Sequence, residues 1–414
     1  MSEAYRLAPI TDVVVWRAAV GEACGLGAVV PELVVVAEQL LAPVPGGTGR
    51  YTRELLRALA ATAPPGWEPR TVVSSDGDPA RAEIEGVGGP DVLPLPRRPL
   101  TLAWQYGRWP RVSADSVHAP TPLFPPVAPG RGLVVTVHDT VPWTHPETLT
   151  ARGAVWHRRA VSRAARKADS LVVPTAAVAV DLRRHVPDAT RIEVIGEGVS
   201  TAVLSPGAAE KGHTAETGHT AEKGESAEET ARRLRLPPRY LLAVGTIEPR
   251  KGYEWLIRAL AEPEAPDIPL LVVGAPGWGG VSLSDLAARH GFPPGRVRYL
   301  GPVEDSDLAV LLRRSAALVA PSMAEGFGLP VLEAMAAGTP VVHSDAPALV
   351  ELADGAGITV PRTDVGALAL ALREVLDDRR RSAGMIEAGR SRARWFDWNE
   401  TARRVWRLHT VRPT

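Results

Sequence analysis

The feature that most constrains this chain is an alternation between short, continuously apolar runs and amphipathic stretches of ten or more residues. From Leu33 it reads LVVV then RYTRELLRALAA, LVVTVH then AVWHRRAVSRAARKA, SLVV then AAVAVDLRRHV, and IEVI. A strand that is apolar on both faces must be covered on both faces, and helices between successive strands supply that cover. The pattern therefore predicts a parallel sheet with helices on either side. From about Ser205 to Thr230 the alternation stops, and KGHTAE, TGHTAE and KGESAE follow one another without a large apolar side chain. Such a stretch buries too little surface to offset the entropy of ordering it, so a disordered insert is expected over 205–232. His213 and His219 recur there, but no other ligand type is fixed beside them. The alternation resumes at Arg239 with RYLLAVG, YEWLIRALA, PLLVVGAP and SDLAARHG, and ends in a long helical pattern from Val365. The expected class is α/β, with two doubly wound, Rossmann-like domains over 32–204 and 233–390 facing across a cleft. Residues 1–31 show no clear period and read as an N-terminal extension. Ligands of open α/β sheets bind outside the carboxyl ends of the strands, which places function in the cleft.

Charge and composition remove several classes. The 414 residues carry 47 basic and 47 acidic side chains, a formal net charge of +0, so the general footprint of a nucleic-acid binder is missing. One cysteine, Cys24, cannot form an intrachain disulfide. No basic-then-apolar leader is read at the start, and a cytoplasmic location is the expectation. Apolar runs such as 33–37 and 269–274 fall far short of the roughly 18 to 20 residues of a membrane span. Lysine stands only at 167, 211, 223 and 251, with arginine supplying the remaining basic residues. Each lysine is therefore of interest, because a compact, strongly hydrated ammonium does what a guanidinium does not.

Four segments place chemistry at expected strand ends. In PSMAEGFGLPVLEAMAAGTP, 321–340, a glycine-rich EGFG turn leads to Pro330 at an expected helix start, where unpaired amides favour an anion. Glu325 precedes the turn and Glu333 follows eight residues later, in the expected first helical turn. A glycosidase pair would need carboxylates about 5 to 9.5 Å apart across one bond. The intervening chain makes separate roles the better fit, with helix capping and dipole pairing as the alternative. Phe327 has no evident structural reason to sit inside the turn. GTIEPRKG, 245–252, sets Arg250 and Lys251 side by side at a strand mouth, where a cation pair can neutralise a diphosphate without a metal. An ordinary solvated turn is the alternative. GGTGRYT, 46–52, follows the first strand and opens a helix but matches neither the dinucleotide fingerprint nor the P-loop; it permits backbone approach to a phosphate or forms a flexible loop. TVHDTVPWTHPE brings His138 and Asp139 to a strand end, making His138 a candidate for a sugar hydroxyl, with His118 ranked below it. No metal-ligand spacing occurs, and a metal-independent site without a cofactor is expected.

Taken together, GTIEPRKG, YLGPVEDSDLAVLL and APSMAEGFGLPVLEAMAAGTPVV, with TVHDTVPWTHPE and GGTGRYTRELL upstream, resemble the retaining GT-B glycosyltransferases of the E-x7-E family. These are the group 1 glycosyltransferases, which include bacterial mannosyltransferases and sucrose and glycogen synthases. The resemblance spans nearly all of residues 33–411. It implies a GT-B fold, a nucleotide-sugar donor in the cleft and a glycan or lipid-linked acceptor. It implies further that Lys251 and Arg250 hold the diphosphate, and that Glu325 and the amides of Gly326, Phe327, Gly328 and Leu329 hold the transferred sugar. Glu333 would meet the ribose, the loop from Gly47 to Gly49 would close from the other domain, and His138 would match the family's histidine near the donor sugar. Thr246 stands where the family usually carries an arginine, leaving Arg250 to supply the second positive charge. WFDWNETARRVW resembles the family's last helix, implying over 391–414 a segment that crosses back to the N-terminal domain. The implied reaction moves a hexose with retention of configuration, GDP-mannose being the first donor considered and UDP- or dTDP-sugars the next. A sugar-nucleotide epimerase of this architecture and a non-catalytic nucleotide-sugar binder are the alternatives.

One further segment bears on partners. LPRRPLTLAWQYGRWPR, 95–111, interleaves Arg97, Arg98, Arg108 and Arg111 with Trp104, Tyr106 and Trp109, which suits peripheral contact with an anionic membrane or a polyprenyl-linked acceptor, with an acceptor loop or a solvated rim as the alternative. Prolines at 94, 96, 99 and 110 argue against one long helix. The face carrying Arg158, Arg159, Arg163, Arg166 and Lys167 is expected to be solvated.

Overall fold

The computed structural model describes residues 30–204, 226–277 and 279–411. His213, His219 and nearly all of the expected N-terminal extension lie outside the described residues. Seven strands, β1 (Glu32–Val36), β2 (Glu68–Val73), β3 (Gly88–Val92), β4 (Ser116–Ala119), β5 (Gly132–Thr136), β6 (Ser170–Val173) and β7 (Ile192–Val194), form a sheet in the order β3-β2-β1-β4-β5-β6-β7. Six more, β8 (Leu241–Val244), β9 (Leu270–Val273), β10 (Val297–Gly301), β11 (Ala317–Ala320), β12 (Val341–Ser344) and β13 (Ile358–Val360), form a second in the order β10-β9-β8-β11-β12-β13. All pairings within both sheets are parallel. The strand order reverses direction between β1 and β4 and again between β8 and β11, the two places where such sheets open a ligand crevice.

Alternate side chains of one strand show why the runs are continuously apolar. Leu33 and Val35 of β1 enter one hydrophobic cluster, whereas Val34 and Val36 enter another on the opposite face. In β8, Leu242 faces one cluster and Leu241 and Ala243 face the other. The first cluster is shared between the domains: Leu55 and Leu59 from the first connect to Leu318 and Leu332 from the second through Ile195, Val199, Phe327 and Trp398. Full burial of one such side chain is worth about 1.5–3 kcal/mol, so apolar burial holds the two domains to each other as well as holding each together.

Two boundaries differ from the sequence expectation. Ala227–Arg233 is a helix, starting inside the stretch expected to be an insert. Its cause is local: Ser226 and Glu229 form a reciprocal capping box, acidic residues fill the first turn and Arg232 and Arg233 the last. At the other end, the helix Arg379–Ala393 stops before a new one begins at Trp398. That last helix, Trp398–Thr410, is capped by Asp397, which accepts from the Glu400 amide at 2.9 Å. It crosses to the first domain, where buried Trp406 donates to the Leu59 carbonyl at 3.1 Å and meets Trp67 edge-on at 5.8 Å between centroids.

Trp406→Ala removes this anchor and leaves a cavity, so the unfolding free energy is expected to fall by about 3–5 kcal/mol in denaturant titration. Trp395, 80% exposed in the connector, provides the control: Trp395→Ala is expected to stay within about 0.5 kcal/mol of the wild type.

Candidate functional site

The segments leaving the carboxyl ends of β8 and β11 fold onto each other. Residues Pro249–Lys251 make a single 3-10 turn, and the chain leaves it through Gly252 at a φ of 71°, where a Cβ would lie 2.1 Å from the Pro321 carbonyl oxygen. Only glycine fits that approach. The Met323 amide donates to the Arg250 carbonyl at 2.8 Å, so the two loops behave as one unit. Within it, Lys251 Nζ donates to Glu325 Oε1 at 2.7 Å, and Arg250 Nη1 to Glu325 Oε2 at 3.2 Å and to the Ala324 carbonyl at 2.8 Å. Arg250 Nη2 donates to Glu248 Oε1 at 2.7 Å, and Ser322 Oγ donates to Glu325 Oε1 at 2.6 Å. Burial works to raise the Glu325 carboxyl, but Lys251 and Arg250 beside it outweigh burial and hold it at about 2. The three residues singled out from the sequence are thus brought together, with one difference from the expectation: the two cations are already paired, with Glu325 and the buried Glu248.

The EGFG turn is held from the other domain. A Cβ on Gly326 would lie 1.8 Å from the His138 carbonyl oxygen, and Thr175 Oγ1 donates to the Gly326 carbonyl at 3.0 Å. This explains the glycine at 326 by close packing between domains. Phe327 and Leu329, whose amides are expected at the donor sugar, point their side chains into the shared hydrophobic cluster. Phe327 meets Phe396 edge-on at 5.6 Å, which supplies the structural need for an aromatic in the turn that the sequence left unexplained. Gly328 opens the helix Leu329–Ala337 with no side chain capping it, and an uncapped helix start is the end that favours an anion. Pro330 is the second residue of that helix, and Glu333 lies in its second turn rather than the expected first.

Glu333 has a partner that the sequence reading missed. Arg50 of the other domain directs Nη1 to both carboxylate oxygens, at 2.8 and 2.9 Å, and Nη2 to Asp305. Glu333 is fully buried. Burial raises its carboxyl, Arg50 only partly offsets this, Asp305 and Glu54 add to the rise, and the group reaches about 7. Arg50 belongs to the helix Gly46–Ala61, which GGTGRYT opens as expected, and the loop implied over Gly47 to Gly49 is its first turn. Gly49 there lacks room for a Cβ, which would meet Pro45 at 2.3 Å, whereas Gly47 has open space. A signal did exist: Glu333 is the lone charge in an otherwise apolar helix, and such a charge requires a cation nearby.

His138 and His118 separate cleanly. His138 Nε2 lies 2.8 Å from the Pro120 carbonyl, which can only accept, so this nitrogen carries the proton. The ring stands edge-on to Tyr51 at 4.7 Å, with Nδ1 3.8 Å from Glu197. His118 is buried between Thr136 and His409, each at 3.2 Å. Burial lowers it to about 3, which keeps it neutral and structural. Among the described residues, no three histidine, cysteine or acidic side chains come together as a metal-binding group.

Comparison with known proteins bears on this arrangement. Residues 226–392 match the family Glycosyl transferases group 1, and residues 45–203 match Glycosyltransferase Family 4. The chain belongs to these glycosyltransferases. It is 35% identical over 252 residues to a D-inositol 3-phosphate glycosyltransferase of Salinispora tropica, covering 57% of this chain and 50% of that protein. It is 38% identical over 162 residues to O-antigen chain mannosyltransferase B of Escherichia coli, covering 38% and 42%. The chain thus spans about half the length of the curated relatives it matches. Anabaena Alr3699/HepE, solved in complex with UDP-glucose, superposes with a TM-score of 0.66 at 18% identity over 91% of this chain and 98% of that one. The fold is GT-B.

The opposite shifts of the two glutamates give a pH test. Glu325 stabilises the fold above its ordinary value of 4.5, and that contribution is lost as pH falls toward 2. Glu333 behaves inversely: its raised carboxyl favours folding below 4.5 and loses that contribution as pH rises through about 7. Glu333→Gln is therefore expected to gain stability relative to wild type between about pH 4.5 and 7 in urea titrations. A difference independent of pH across that window would contradict the assignment.

Proposed function

We propose that the chain is a retaining, metal-independent hexosyltransferase that moves a sugar from a nucleoside diphosphate to an acceptor hydroxyl. The observation that carries this reading is the part-buried set Arg250, Lys251 and Glu325, with buried Glu248, at the carboxyl ends of β8 and β11. Two cations fixed by carboxylates and backbone are preorganised, and preorganised charge is what stabilises a leaving diphosphate most. In the proposed step the bond from the anomeric carbon to the diphosphate oxygen breaks, and its electron pair leaves with the diphosphate. The acceptor oxygen bonds to the same carbon from the same face, and its proton passes to the departing phosphate oxygen. Arg250 and Lys251 stabilise the growing negative charge, and Glu325 holds them and faces the sugar. Glu333 receives the ribose hydroxyls, and the His138 segment closes the site against water, which otherwise diverts transfer into hydrolysis. Mannose from GDP-mannose is the first donor proposed, supported by the name of the Escherichia coli relative. The UDP-glucose bound by HepE makes a UDP-sugar the second.

For the acceptor side we propose contact with an anionic lipid surface or a lipid-linked acceptor. Leu102, Tyr106 and Trp109 are exposed around the short helix Arg97–Gln105, while Trp104 is buried and donates to the Pro110 carbonyl at 2.9 Å. The neighbouring helix Ala151–Lys167 lies close by, since a Cβ on Gly107 would come within 3.3 Å of Arg163 Nη2. No acidic residue occurs between Asp91 and Asp115 or between Glu147 and Asp169. Arg158 and Arg163 are tied to the Pro142 carbonyl and the Phe124 ring, and Arg166 pairs with Asp188 at 3.3 Å, leaving Arg98, Arg108, Arg111, Arg159 and Lys167 for the surface. No helix among the described residues is long and apolar enough to cross a membrane.

Three measurements test these readings. GDP, UDP or a corresponding nucleotide sugar is expected to raise the thermal transition, and absence of any shift would remove the donor site. Lys251→Ala is expected to lower kcat by about 10²–10³ with turnover insensitive to chelator in both proteins, whereas dependence on added metal would contradict the cation pair. Cosedimentation with phosphatidylglycerol but not phosphatidylcholine vesicles is expected, and is lost in Tyr106→Ala/Trp109→Ala; equal binding to both lipids would refute the surface.

A further inference from the structure

The carboxylate proposed for the ribose is covered. Glu333 is fully buried, both its oxygens accept from Arg50 Nη1, and Arg50 Nη2 binds Asp305 at the start of the helix Asp305–Arg314. Arg50 itself comes from the opposite domain and retains 20% exposure, so it forms the outer layer over a carboxylate with none. A ligand therefore reaches Glu333 only if Arg50 moves. Once Arg50 leaves, a buried carboxylate cannot remain ionised without other donors. The two hydroxyls of a ribose are such donors, one for each oxygen. Asp305, 41% exposed, keeps a partner for Arg50 at the rim of the cleft after Glu333 is given up.

We propose that Arg50 is a latch across the cleft that a ribonucleotide must displace from Glu333, so that donor binding and release of this interdomain contact are one event. The inference rests on the reading of Glu333 as the ribose contact. It assigns Arg50 a gating role, distinct from the diphosphate-binding role of Arg250 and Lys251. A binding-competent state that is only fractionally populated weakens the apparent affinity by that fraction, and removing the latch restores it.

The test uses the full chain and four probes, UDP and GDP and their 2′,3′-dideoxy forms, titrated calorimetrically. Arg50→Ala is expected to bind whichever ribonucleotide the wild type prefers about tenfold more tightly, a coupling of ordinary size. Its affinity for the dideoxy form is expected to stay unchanged, because that probe cannot use the exposed carboxylate. Asp305→Asn removes the second anchor at a half-exposed site and is expected to give a smaller gain with the same preference. Adding Glu333→Gln to Arg50→Ala is expected to cancel the gain. Unchanged or weaker binding of the ribonucleotide in Arg50→Ala and Asp305→Asn, or an equal gain for the dideoxy probe, overturns the latch while leaving the donor site standing. A wild type that binds neither diphosphate overturns the donor-site reading and the latch with it.

Discussion

Burying a carboxylate is costly unless cations accompany it, and this cleft encloses two from one nine-residue stretch, Glu325 in large part and Glu333 fully. Their environments are opposite. Glu325 receives Lys251, Arg250 and Ser322, and is held at about 2. Among the described residues Glu333 receives only Arg50, while Asp305 and Glu54 stand nearby with the same sign, and it rises to about 7. The number and sign of neighbours decide the outcome, since burial pushes both groups upward. One carboxylate is a permanent anchor for two cations; the other is poised so that a modest change of partner alters its charge.

The same segment depends on close approach between the domains. Gly326 fits against the His138 carbonyl because it has no side chain, and Thr175 fixes its carbonyl. Nearby, Glu351 of the second domain accepts from the amides of Ala176 and Ala177 at 2.7 and 2.8 Å, satisfying the start of the helix Ala176–His185 in the first. Phe327 continues the contact into the shared hydrophobic cluster. Polar contacts set the register between domains, and apolar burial supplies most of the energy.

How much of this was legible before the structure depends on what each residue's role rests on. Strand and helix order follow from local periodicity, so the two parallel sheets were readable from runs such as LVVV and LLVV. Arg250, Lys251 and Glu325 were readable because strand ends confine them to one place. The inward side chains of Phe327 and Leu329 were not readable, since nothing local says whether a side chain in a turn faces a ligand or a neighbouring domain. Arg50 was missed because arginine makes up nearly all the basic residues, and only the tertiary fold separates one that crosses the cleft from those on the surface. The helix at Ala227–Arg233 was the most avoidable miss: S-x-x-E at 226–229 is a local signal, outweighed by the low-complexity run before it.

The residue after Arg50 limits how the cleft can move. Tyr51 is buried; its hydroxyl lies 3.2 Å from Thr136, and its ring packs edge-on against His138 and Trp398. From Thr136 a hydrogen-bonded chain runs through His118 and His409 to Ser116, joining β5 and β4 to the crossing helix. Burial holds both histidines below their ordinary range, so the chain stays uncharged at neutral pH and none of its members repels another. The helix carrying Arg50 is therefore fixed one position away from it by a bond to Thr136 and the uncharged chain behind it. Local unwinding of that helix would expose Tyr51 and break the chain, so it is the expensive route. Release of Glu333 instead takes place by rotation of the Arg50 side chain, whose torsions cost far less, or by movement of the whole first domain together with the helix Trp398–Thr410.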